Sequence, residues 1–262
     1  MNAILFDLDG VIYQADQPIE GAADVIRWCR DQAIPHLFLT NTSSRPRSAL
    51  VQKLEHFNIE TDESRIFTPP VAATYWLIDH VQGKVALFVP EATRQEFASL
   101  DWLEETAESG AAAVVVGDLG LDWDFTTLNR AFRLLISNPQ TRLVALGMTR
   151  YWCASDGLRL DAGAFVSALE YASGTCPVVM GKPALTFFET AAEMLGESPA
   201  DCVMVGDDIR SDVQGAQEAG LRGVLVRTGK FAPGDLKLVI TPDAVLDSVV
   251  DLPEWWKKNL LT

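Results

Sequence analysis

The chain has 262 residues, 48% of them hydrophobic, enough for one large or two modest domains and too apolar for a disordered protein. Its 36 acidic against 21 basic residues leave a net charge of −15, which excludes nucleic acid and anionic membrane surfaces as natural partners. An anionic ligand would have to be drawn by local positive groups rather than by the field of the whole protein.

In chain order, residues 3–6 form a short run apolar on both faces, the pattern of a strand buried in a parallel sheet. It ends in Asp7-Leu8-Asp9-Gly10. Two like charges at the end of a buried strand are costly unless a cation or a substrate compensates them. Residues 22–33 read as a helix with Val25, Ile26 and Cys29 on one stripe. A second strand, 36–40, opens into Thr40-Asn41-Thr42-Ser43-Ser44, whose hydroxyls and amide suit a phosphoryl oxygen. Ser44, placed before Arg45-Pro46, predicts a helix start, with the helix running to about residue 57. Strand-like runs follow at 84–89, 111–117 and 142–147. Val178-Val179-Met180 leads into Gly181-Lys182-Pro183, with Pro183 predicted to open a helix over 184–196. The segment is not a Walker-type loop, because Pro183 stands where Ser or Thr would be needed. A buried strand over 202–206 ends in Gly206-Asp207-Asp208, with Asp212 four residues further on. A helix over 211–220 closed by Gly220 and a strand over 223–227 complete the alternation. Repeated strand–helix alternation predicts a doubly wound, Rossmann-like parallel sheet, and in such sheets ligands bind outside the carboxyl ends of the strands.

The four cysteines, Cys29, Cys153, Cys176 and Cys202, form no C-x-x-C pair and read as reduced thiols of a cytoplasmic protein. No signal peptide is expected, because Asp7 and Asp9 interrupt the first apolar run, and no apolar stretch approaches the ~20 residues of a membrane span. His36, His56 and His80 supply a zinc site or a histidine triad poorly and are expected at the surface or on helices. Trp255 and Trp256 cannot share one narrow helix face, so one of them is open to packing or to an oligomer contact.

The ordered set Asp7-x-Asp9-Gly10, Thr40-Asn41, Gly181-Lys182-Pro183 and Gly206-Asp207-Asp208-x-x-x-Asp212 resembles the haloacid dehalogenase superfamily. Leu160-Asp161-Ala162-Gly163, Ala168-Leu169-Glu170-Tyr171-Ala172 and Val226-Arg227-Thr228-Gly229-Lys230-Phe231 extend the resemblance to subclass IIA, the NagD-like proteins. Within that subclass they resemble the group that contains the phospholysine phosphohistidine inorganic pyrophosphate phosphatases. The resemblance implies a catalytic core over 1–81 and 178–262, interrupted by a smaller α/β cap of the C2 type over 82–177. It also implies Mg²⁺ as cofactor and a small phosphorylated metabolite as substrate: pyrophosphate, a phosphoamino acid with a P–N bond, a nucleoside monophosphate or a sugar phosphate.

In that reading Asp7 is the nucleophile and Asp9 the acid and base. Thr40, Asn41 and Lys182 hold the phosphoryl oxygens. Asp7, the carbonyl of Asp9, and Asp207 hold the metal, while Asp208 or Asp212 orients its waters or Lys182. Arg150-Tyr151-Trp152 in the cap, and Arg45 and Arg47 after the Thr40 motif, are candidate substrate contacts. Asp9 and the Asp207 cluster argue against a dehalogenase. A phosphotransferase or mutase on the same fold, a non-catalytic phosphate-binding regulator, and a homodimer all stay open at this point.

Overall fold

The computed structural model of the chain describes residues 1–154 and 157–259; the side chains of Trp152 and Cys153 lie outside the described ones. In chain order, β1 (Ala3–Asp7) is followed by α1 (Ala22–Asp31), β2 (His36–Leu39), α2 (Arg47–His56) and β3 (Ile66–Phe67). Then come α3 (Pro69–His80), β4 (Val85–Phe88), β5 (Ala113–Val116), α4 (Phe125–Ile136), β6 (Arg142–Ala145), α5 (Ala162–Ser173) and β7 (Pro177–Val179). The last group is α6 (Leu185–Met194), β8 (Cys202–Gly206), β9 (Arg222–Val226), β10 (Ala244–Leu246) and α7 (Leu252–Asn259). The chain divides into two compact units, one made of Met1–Thr40, Arg47–Phe67 and Lys182–Thr262, the other of Asn41–Pro46 and Thr68–Gly181.

The first unit carries a six-stranded parallel sheet in the order β10-β9-β8-β1-β2-β3. From β1 the chain steps outward through β2 and β3, and later returns on the other side of β1 through β8, β9 and β10. The order therefore reverses between β1 and β8, which is where an open α/β sheet leaves a crevice at its carboxyl edge. Register brings the relevant ends level: Phe6 pairs with Val205, and Asp7 with Leu39. Every residue of β1 and β8 is buried, as expected of central strands covered on both faces. Ile4, Phe6, Val203, Val205, Val224 and Val226 pack with Val25 and Ile26 of α1, Leu50 and Leu54 of α2, and Leu252 and Trp256 of α7.

The second unit has its own parallel sheet, in the order β7-β6-β5-β4. Its core joins Phe88, Val114, Val116, Leu143 and Ala145 to Leu134 and Leu135 of α4 and Val166 and Leu169 of α5. Asp124 caps α4 by accepting from Thr127 N at 2.7 Å, and Asp161 caps α5. A separate two-stranded antiparallel hairpin joins Tyr151–Ala154 to Gly157–Leu160.

Several local expectations shift. Helix α2 begins at Arg47, after Pro46, rather than after Ser44. Pro183 stays outside α6, whose N-cap is the extended Ala184. The helix expected over 211–220 is instead a π-helical segment, Ile209–Gln214, followed by one α-turn, Gly215–Glu218. His36 is neither on a helix nor at the surface. It is a buried residue of β2, edge-on to Phe6 and Phe38, with Nδ1 3.0 Å from the carbonyl of Ile34. Trp256 is buried edge-on to Trp28, and Trp255 packs partly against the same core, so the tail tryptophans are core residues. Strands β3 and β10 have no sequence signature, because two or three residues are too few to show a period.

Candidate active site

The strand β1 ends at Asp7, and this boundary separates the two aspartates of the first motif. Asp7 is still held by the sheet and is buried. Asp9 lies beyond it in the turn, where its side chain is exposed. Residues two apart share a face only within one strand, and here the second aspartate is no longer in the strand. Gly10, at φ 90°, adopts the left-handed conformation that turns the chain away, and its N–H donates to Tyr13 O at 2.6 Å.

Across the topological reversal, β8 delivers Asp207, and the π-helical turn behind it delivers Asp212. Both are buried. Asp7, Asp207 and Asp212 each offer a carboxylate oxygen within 4.8 Å of the others. Lys182, also buried, reaches into this group from the segment before α6: Nζ lies 2.5 Å from Asp7 Oδ1 and 2.7 Å from Asp212 Oδ1. Two of the three buried carboxylates, Asp7 and Asp212, thus share one ammonium, while Asp207 stands beside them in the same cluster. Burial, reinforced by Asp212 and Asp207, pushes Asp7 up to about 7, against the pull of Lys182. Burial and Asp212 likewise push Asp207 up to about 6, although the Lys230 N–H works in the other direction. Lys182 is desolvated, yet the two carboxylates against it outweigh that cost and raise its pKa.

The group fits a divalent cation on its own chemistry. Asp207 Oδ1 is buried without a hydrogen-bond partner, and an all-oxygen set with surplus negative charge is what a hard cation requires. Asp212, expected only to orient waters or Lys182, is ion-paired with Lys182 and also stands within the carboxylate cluster itself. Asp208 points elsewhere. Its Oδ1 accepts from the backbone N–H of Arg210 and Ser211 at 3.0 Å each, and those bonds hold its carboxyl below the usual range despite burial. It is a capping residue of the turn that aims Asp212.

Thr40 is buried immediately after β2, its N–H donating to Phe67 O at 3.2 Å, and Asn41 beyond it is exposed. Arg47 donates from Nη1 to the Glu63 carbonyl at 3.0 Å, with the Glu63 carboxylate 3.9 Å away. Arg45 is exposed. In the second unit Arg150 is exposed and lies 5.9 Å from the ring centre of Tyr151, itself half exposed. The segment Thr228-Gly229-Lys230 was legible only as part of a resemblance. In the structure the Lys230 N–H donates to Asp207 Oδ2 at 2.6 Å.

A buried acid cluster with a lysine, at the reversal point of a parallel sheet, suits chemistry on a phosphoryl group with a divalent cation. Residues 4–102 match the haloacid dehalogenase-like hydrolase family model, and residues 179–252 match a second, HAD-hydrolase-like one. The chain is 36% identical over 256 residues to the phospholysine phosphohistidine inorganic pyrophosphate phosphatase of Xenopus laevis, covering 96% of this chain and 91% of that one. It is 35% identical over 242 residues to haloacid dehalogenase-like hydrolase domain-containing protein 2 of Homo sapiens, covering 92% and 90%. Among solved structures, the p-nitrophenyl phosphatase from Archaeoglobus fulgidus superposes with a TM-score of 0.86 at 27% identity, covering 97% of this chain and 98% of that one. The chain belongs to the haloacid dehalogenase-like hydrolases, subclass IIA. Within that family it is an enzyme of the phosphatase type.

Proposed function

We propose that the protein is a Mg²⁺-dependent phosphatase that hydrolyses a small phosphorylated metabolite through an aspartyl-phosphate on Asp7. The observation that carries this reading is Asp7 itself, a carboxylate buried at the end of β1 and paired with Lys182 beside a second carboxylate whose Oδ1 has no partner. Asp7, Asp207 and the main-chain carbonyl of Asp9 would hold the ion. Mg²⁺, when bound, neutralises the surplus carboxylate charge and stabilises negative charge on the phosphoryl oxygens.

The chain's own residues do the rest. The Asp7 carboxylate attacks phosphorus and the bond to the leaving oxygen breaks. Asp9, exposed beyond the strand end, gives that oxygen its proton. A water then attacks the acyl-phosphate and loses a proton to Asp9, which regenerates both carboxyl groups and releases phosphate. Lys182 and the Thr40 hydroxyl hold the phosphoryl oxygens as charge develops, with Asn41 next along the chain. Asp212 keeps the Lys182 ammonium charged and placed. Selection of the substrate is assigned to the inserted unit, which we read as a cap, with Arg150 and Tyr151 as its candidate contacts. The names of the relatives put pyrophosphate, P–N-bonded phosphoamino acids and aryl phosphates first in a substrate panel.

The decisive measurement is Mg²⁺-dependent phosphate release from p-nitrophenyl phosphate by wild type and Asp7→Asn. The variant is expected to lose ~1000-fold or more of the turnover, because residues acting as one unit cannot be removed singly at small cost. Retained turnover would overturn the assignment.

A further inference from the structure

The loop after β9 is part of the family resemblance, yet the mechanism above uses none of it. Three of its residues meet the carboxylate cluster in different ways. The Lys230 N–H donates to Asp207 Oδ2 at 2.6 Å. The Thr228 hydroxyl donates to the carbonyl of Gly10 at 2.5 Å, across 218 residues of chain. Gly229, at φ 62°, lies against Gly10 and Asp207 so closely that a Cβ on either glycine would collide with Asp207 Oδ2. The consequence is an asymmetric carboxylate. Oδ2 is fixed by a backbone donor, while Oδ1 is buried and has no hydrogen-bond partner. Without the Lys230 bond Oδ2 would lose the donor that fixes it, and a protein donor on Oδ1 would compete with a cation for that oxygen.

We propose that Thr228-Gly229-Lys230 is a clasp that presents Asp207 Oδ1 to the cation, with Thr228 as its positioning residue. The inference rests on the metal reading given above. Its physical content is that one hydroxyl fastens together two parts of the cation site that come from opposite sides of the sheet reversal. One is the turn carrying the Asp9 carbonyl, next to Gly10. The other is the Asp207 carboxylate, held through the neighbouring backbone of the same loop. Losing the hydroxyl releases the loop from Gly10 and lets the bond between the Lys230 N–H and Oδ2 lengthen. Groups that orient metal ligands in this way commonly govern 10–100-fold in metal affinity.

The test is a Mn²⁺ titration of the full-length protein without substrate, read by electron paramagnetic resonance of the free ion. Thr228→Val, which keeps the shape and removes the donor, is expected to weaken Mn²⁺ binding ~10-fold or more, and Thr228→Ser to restore it. The Mg²⁺ concentration needed for half-maximal phosphate release should rise in parallel, while turnover at saturating Mg²⁺ changes much less. A merely structural role would lower the melting temperature without moving the Mn²⁺ affinity. Gly229→Ala supplies an independent reading if Thr228→Val does not fold, with a loss at least as large expected from the collision with Asp207. Wild-type Mn²⁺ affinity in a folded Thr228→Val or Gly229→Ala overturns the clasp and leaves the metal reading intact. Absence of Mn²⁺ binding by the wild type overturns the metal reading and the clasp with it.

Discussion

The two units are built from the same material, parallel strands covered by helices, and among the described residues only the first gathers buried charges into a cluster. In the second unit the strands follow one another in sequence order, β4 to β7, so no reversal opens a crevice between neighbours. An apolar cluster from Phe88 to Leu169 packs its sheet against its helices, and among the described residues its buried acid is the single Glu96. In the first unit the order reverses beside β1, and Asp7, Asp207, Asp212 and Lys182 all gather at that reversal. The difference teaches that the topology, rather than the strand–helix repeat itself, creates the place where unpaired charge can be held. A buried carboxylate is unaffordable inside a continuous sheet and tolerable at a crevice that admits a cation or a substrate.

The comparison is broken most sharply by removing Lys182, the one buried cation among the described residues. Lys182→Met leaves the buried carboxylates of Asp7 and Asp212 without their ion-pair partner, and loss of one partner from a buried ion pair costs roughly 3–5 kcal/mol. That loss is expected in urea unfolding with chelator present at pH 8, above the value of about 7 to which Asp7 is raised. Stability equal to wild type would mean that the cluster is not held as described.

A smaller effect of opposite sign comes from filling the site. Mg²⁺ at ~100 times its dissociation constant should stabilise the protein by about 2.7 kcal/mol, read as a raised unfolding midpoint. Asp207→Asn should remove that gain. An equal gain in the variant would place the ion elsewhere.

Smaller again is the contrast with the second unit. Arg150→Ala should leave hydrolysis of p-nitrophenyl phosphate within a few-fold of wild type while weakening the best substrate of the panel more strongly, as expected for a charged substrate contact. Equal effects on both would remove Arg150 from substrate selection.

The smallest effect concerns His36, the buried base of β2. Burial holds its imidazole below the ordinary 6.5, so the folded protein binds fewer protons there than the unfolded chain. Stability from this residue is therefore complete above pH 6.5 and is lost as pH falls through the lower folded value. Urea midpoints compared between wild type and His36→Leu should show the excess loss on acidification in wild type only. A parallel decline would show that His36 does not carry it.

Much of this was legible in the chain itself, for a definite reason. Local sequence decides what is local: the apolar runs of β1 and β8, the stripe of α1, and the identity of the acids, hydroxyl and lysine at successive strand ends. Those residues, in that order, carry the resemblance to the family and to its phosphatase class. Where the reading strayed, the deciding interaction was distant in sequence. His36 is buried because β1 and its neighbours close over it.

Only the tertiary structure separated Asp7 from Asp9, because the strand ends between them and leaves one carboxylate in the sheet and the other outside it. It also sorted Asp208 from Asp212. Both suit a helix start, but only the turn geometry makes one a cap and sends the other against Lys182. The role of Thr228 was beyond sequence for the same reason. Its hydroxyl acts on Gly10, 218 residues away, and a partner at that separation exists only once the sheet has brought β9, β8 and β1 side by side.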